Sequence, residues 1–169
     1  MLQEVFQKWF DGTGVQETPE YSLSMSIGSR KKSRITGKET VSLRALVILN
    51  GGDINFIAMN NALVRSLAPD EAWIGRMYCS WIVLSARGGI YLYEALAQKE
   101  YIRCSGMRNR FLVINSEDGS FSFGPGHILN REYSETMQDL LSRMKNIPPA
   151  LFLRKFSSIM ESSLEDLER

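Results

Sequence analysis

Pro69-Asp70-Glu71-Ala72-Trp73-Ile74-Gly75-Arg76-Met77-Tyr78-Cys79-Ser80-Trp81-Ile82-Val83-Leu84-Ser85-Ala86-Arg87-Gly88 is the stretch around which the rest of the chain has to be organised. Pro69 suits a first helical turn, where a missing N–H costs nothing, and Asp70 and Glu71 place negative charge at the positive end of a helix dipole. Arg87 would sit in the last turn, and Gly88 can take the left-handed conformation that ends a helix. Trp73, Ile74, Met77, Tyr78, Trp81, Ile82 and Leu84 recur at near-helical spacing, with Arg76, Ser80 and Arg87 on the other side. The spacing predicts a central core helix with a broad apolar stripe.

Working outward, the whole chain sets bounds on that helix's surroundings. It has 169 residues, 44% of them hydrophobic, enough for one good core and one domain. With 23% charged residues, 13 Gly and 5 Pro, the composition has no fibrous or disordered bias. The formal charge is +1, so attraction to phosphate must come from local clustering. Two cysteines, Cys79 and Cys104, set no disulfide framework and read as buried thiols in a reducing compartment. No run approaches the ~20 apolar residues of a membrane span, and the N-terminus lacks a basic-then-apolar signal pattern. The expectation is an intracellular protein, soluble or peripherally attached to a membrane.

Before the central stretch, Leu2, Val5, Phe6, Trp9 and Phe10 are spaced as one face of a short amphipathic helix. Asp11 to Gly14 stops it, and the polar segment through Pro19 reads as a linker. Residues 1–18 are therefore expected to be an arm and linker, and 19–169 a single domain. The arm either packs back on its own domain or is detachable, docking on a neighbouring subunit through those five residues or lying on a membrane surface. Tyr21 to Ile27 alternates apolar residues with serine, a half-buried strand. Val41 to Leu49 reads as its hairpin partner. Asp53 is placed to cap a helix carrying Phe56, Ile57, Leu63, Val64 and Leu67. Strands are expected at Ile90–Tyr93 and Tyr101–Cys104. A hairpin joins Arg110–Asn115 to Ser120–Phe123 across Asp118-Gly119. Two C-terminal helices follow, from about Arg131 to Lys145 and from Ala150 onward, separated by Pro148-Pro149. The expected class is α+β: a mainly antiparallel sheet packed against a central helix, with two C-terminal helices.

Catalytic constellations are scarce. The only histidine is His127, between a turn and a helix start. No His or Cys spacing suggests a metal, and no Gly-x-Ser-x-Gly elbow occurs. Gly37-Lys38-Glu39-Thr40 departs from a phosphate loop, because Glu39 and Lys32 stand where Ser/Thr and Gly are required. No catalytic residue, cofactor, metal or small-molecule substrate is predicted. A small hydrolase using His127 stays open as an alternative.

The charge pattern says more. Arg30, Lys31, Lys32, Arg34, Lys38 and Arg44 fall close together, offset only by Glu39. On one hairpin they make a local positive patch. Each Lys or Arg near an anionic bilayer contributes about 1 kcal/mol. Nucleic-acid phosphates are attracted by the same physics, so a nucleic-acid-binding regulator is the other alternative. Lys31-Lys32-Ser33-Arg34 also fits a minimal nuclear-import pattern. The plainest alternative is a solvated loop.

Glu20-Tyr21-Ser22-Leu23-Ser24-Met25-Ser26-Ile27, an early strand feeding a basic turn, and the aromatic-rich Trp73–Gly88 stretch together resemble the matrix proteins of rhabdoviruses, particularly the short forms of plant viruses. The resemblance covers about half the chain. It implies self-association, binding to nucleocapsid and attachment beneath a membrane. The chain departs from that pattern in having no lysine-rich N-terminal tail and no Pro-Pro-x-Tyr signal, since Ala150-Leu151 follows Pro148-Pro149.

Overall fold

Residues Arg76–Ser85 form a β-strand, and the helix expected there is absent from them. A computed structural model of the chain describes residues 4, 6, 13–51, 54–66, 76–86, 92, 95–96, 103–104, 107–124 and 129–166. In chain order the elements are β1 (Thr13–Glu17), β2 (Tyr21–Lys32), β3 (Glu39–Leu49), α1 (Phe56–Ser66), β4 (Arg76–Ser85), β5 (Arg103–Cys104), β6 (Met107–Asn115), β7 (Phe121–Gly124), α2 (Leu129–Ser142), a 3-10 turn (Met144–Asn146) and α3 (Pro149–Asp166). One sheet runs β1-β2-β3-β4-β6-β5, with β7 also paired to β6.

The class is α+β, but the sheet is mixed rather than mainly antiparallel. β3 pairs parallel with β4, and β4 parallel with β6, while β1–β2, β2–β3, β5–β6 and β6–β7 are antiparallel. The reason lies in burial. No side chain from Met77 to Ser85 is more than 6% exposed. A strand covered on both faces shows no apolar–polar alternation, and its short apolar run can imitate one face of a helix. Met77, Cys79, Trp81 and Val83 enter one core, and Ile82 and Leu84 enter the other. Of the two stretches likened to matrix proteins, Trp73–Gly88 is strand over Arg76–Ser85, and Glu20–Ile27 belongs to β2 from Tyr21 onward.

α1 covers the first face through Phe56, Met59 and Leu63, joined by Leu96. Its start is capped by Asn55, whose Oδ1 accepts the Ala58 N–H at 3.0 Å; Asp53, the expected cap, lies outside the described residues. Phe56 meets Trp81 edge-on at 5.0 Å and Phe111 at 5.1 Å between ring centroids, and Trp81 Nε1 donates to Asn109 Oδ1 at 2.8 Å. α2 and α3 contribute Met137, Leu140, Phe152, Phe156 and Met160 to the second face. Pro149 opens α3, where its fixed φ suits a first turn.

Two further expectations change. Residues Thr13–Glu17, read as linker, add β1 to the sheet. Leu92 is helical rather than part of a strand, whereas Arg103–Cys104, within the strand expected at Tyr101–Cys104, does pair with β6 as β5. Of the five arm residues, Phe6 is fully buried in the second core against Phe152 and Phe156, packed back on the domain. Leu2, Val5, Trp9 and Phe10 lie outside the described residues. The expected hairpins stand: β2–β3, and β6–β7 with Gly119 at φ 75° in its turn.

Cys79 has no exposed surface, and burial pushes its thiol well above the ordinary range. Thiolate is the reactive form, so Cys79 should resist alkylation in the native protein and react once denaturant opens the sheet. Mass-spectrometric mapping of the modified residue checks this; rapid native labelling of Cys79 would contradict the burial.

Candidate functional site

The alternation of Tyr21–Ile27 and the apolar run of β3 build a long two-stranded ribbon, and the basic residues ride on its distal half. Cross-strand partners run from Tyr21↔Leu49 to Lys32↔Glu39, leaving residues 33–38 as the connecting turn. The turn is held together by its own groups. Ser33 N–H donates to Lys38 O at 2.8 Å and Gly37 N–H to Ser33 O at 3.0 Å. Thr36 N–H donates to Ser33 Oγ at 3.2 Å, and Lys38 N–H to Thr36 Oγ1 at 3.3 Å. Gly37 sits at φ 68°, the left-handed region that suits glycine.

All of residues 30–38 are exposed, and Arg44 is partly exposed. The six cations of the sequence reading therefore share one hairpin, five of them at or beside its tip. Register divides them: Arg30 (opposite Val41) and Lys32 (opposite Glu39) lie on the face of α1, whereas Lys31 (opposite Thr40) and Arg44 lie on the face of α2 and α3. The phase is set by a bulge between Ile27 and Ser29. Gly28 lies within it, and a Cβ there would come 3.1 Å from Arg44 Nε, so the glycine makes room for that side chain. Glu39 is the one carboxylate within 30–44, and its Oε1 lies 3.7 Å from Arg30 Nη1, both side chains well exposed. Such an exposed pair is worth about 0–1 kcal/mol.

Sheet pairing places further arginines in register with the hairpin. Arg44, Ser80 and Arg110 occupy one transverse row, Ser42, Tyr78 and Arg108 the next, and Thr40 and Arg76 the one after. Arg103 pairs with Arg108 from β5. Rows in neighbouring strands are ~4.8 Å apart, so Arg44 and Arg110 stand roughly 10 Å from each other across Ser80. Arg110 is 2% exposed and Arg108 partly exposed. The sequence reading missed Arg76, Arg108 and Arg110. Only the parallel pairing of β3, β4 and β6 brings them alongside the hairpin, and no local window carries that signal.

The cations gather at the N-terminal ends of the parallel strands. Ligand crevices of such sheets open at the other end, where strand order reverses. Here β3, β4 and β6 follow one another in a single direction. A groove of about 270 Å³ between α2 and α3 is lined by Thr136, Asp139, Leu140, Arg143, Lys155 and Ser158 among others. Its carboxylate is engaged: Asp139 Oδ1 lies 3.0 Å from Arg143 Nη2. His127 lies outside the described residues. Among the described residues, no three His, Cys, Asp or Glu side chains cluster as a metal site would require, and no helix is long and apolar enough to cross a membrane. No family model, curated protein or solved structure matches the chain.

Proposed function

We propose that the protein is a non-enzymatic, matrix-like interaction protein that attaches to anionic partners through the β2–β3 hairpin. The observation that carries this reading is the concentration of Arg30, Lys31, Lys32, Arg34 and Lys38 on exposed positions of one ribbon, with a single carboxylate among them. Arg44 and Arg108, both partly exposed, stand on adjacent same-face rows of the sheet beside the hairpin. A row of like charges near a surface of opposite charge adds contributions of about 1 kcal/mol each, and salt screens them.

Flotation of the full chain with acidic vesicles at two salt concentrations tests the reading. Binding should fall steeply at the higher salt. Changing Arg30, Lys31, Lys32 and Arg34 together to Gln should weaken binding at low salt by at least tenfold, since about 1.4 kcal/mol is a factor of ten. Unchanged flotation of that variant, with the fold verified by circular dichroism, would remove the hairpin from the role.

A further inference from the structure

The tip of the hairpin carries one feature that charge does not explain. Ile35 is 96% exposed, against 52% for Ile57 and 42% for Ile27, the other large apolar side chains left in water among the described residues. It stands between Arg34 and Thr36 in the turn, with Lys31, Lys32 and Lys38 behind it. Past the last cross-strand pair, Lys32↔Glu39, residues 33–38 make no sheet pairing, and among the described residues β4 reaches no further than Thr40. Backbone polar groups normally forbid a loop from entering an apolar medium. Here the N–H groups of Ser33, Thr36, Gly37 and Lys38 are already bonded inside the turn.

We propose that Ile35 is a membrane anchor, so that the hairpin meets an anionic bilayer tip-first. Ile35 enters the apolar boundary while Arg34, Lys32 and Lys38 lie at the level of the headgroup phosphates. This rests on the anion-binding reading and names its partner as a lipid surface. A branched aliphatic side chain suits that partner better than a nucleic acid, whose bases are held by stacking on aromatic rings. The tip has none: residues 33–38 read Ser-Arg-Ile-Thr-Gly-Lys.

The test uses the full chain with phosphatidylcholine vesicles containing or lacking phosphatidylserine, and with a single-stranded RNA oligonucleotide. Ile35→Ser should weaken binding to the phosphatidylserine vesicles by about tenfold, the worth of burying much of one such side chain. RNA affinity and melting temperature should not move, because Ile35 packs against little of the fold. Ile35→Trp should restore vesicle binding, and its added fluorescence should shift to the blue only with phosphatidylserine present. Equal vesicle binding by Ile35→Ser and the parent would overturn the anchor while leaving electrostatic attachment intact. Equal weakening on vesicles and RNA would also overturn it, as would a parent that binds RNA alone. A parent that binds neither at low salt would overturn both readings.

Discussion

Trp81→Ala is expected to leave the protein at or beyond the edge of unfolding. Trp81 has no exposed surface, lies on the central strand β4, packs edge-on against Phe56 at 5.0 Å, and donates its indole N–H to Asn109 at 2.8 Å. Removing a buried Trp costs about 3–5 kcal/mol in transfer and cavity terms, against a total stability of about 5–15 kcal/mol for a typical domain. The midpoint of urea unfolding should drop accordingly. Trp81→Phe separates the two contributions. It keeps most of the ring but removes the donor to Asn109, so its cost should be nearer the ~1–3 kcal/mol of a lost buried hydrogen bond plus a modest cavity. A Trp81→Ala midpoint displaced by less than about 1 kcal/mol equivalent would mean that this side chain is not where the core is tightest.

Phe6→Ala is expected to be nearly as damaging, which a detachable arm does not predict. Phe6 is fully buried, with its ring centroid 5.1 Å from Phe156 and 6.2 Å from Phe152, both steeply inclined to it. Edge-to-face contacts add about 0.5–1.5 kcal/mol beyond area burial, and Phe→Ala in a core costs about 3–5 kcal/mol. For a domain of this size each kcal/mol is worth about 2–4 °C, so the melting temperature should fall by on the order of ten degrees. The fall should not depend on protein concentration. A melting temperature that stays put while self-association weakens would restore the arm reading for this residue.

These two residues mark where the sequence was and was not legible. The β2–β3 hairpin could be read locally, because Tyr21–Ile27 alternates and the basic turn interrupts two apolar runs that pair with each other. The C-terminal helices were equally plain, since only their inner stripes are covered. β4 was not, because both its neighbours are distant in sequence and both its faces are buried. A stripe at 77, 78, 81 and 82 satisfies a helix and a doubly covered strand alike, and only the partners decide. β1 escaped for the opposite reason: Thr-Gly-Val-Gln-Glu has too little apolar content to announce a strand, and Val15 supplies its packing. The site divides the same way. The hairpin cations were visible as a run, whereas Arg76, Arg108 and Arg110 join them through pairing that no short window contains.

The shortness of β1 has a last consequence. It pairs with β2 only from Ser22 to Met25, so among the described residues Ser26–Lys32 forms an outer margin of the sheet. A bare margin is a template onto which another chain can add a strand, and proteins blunt such margins with kinks and with lysine or arginine. This one has both, the irregularity at Gly28 and then Arg30-Lys31-Lys32. Those charges therefore also guard the margin, and each one removed leaves it less protected against pairing with a second copy of the chain.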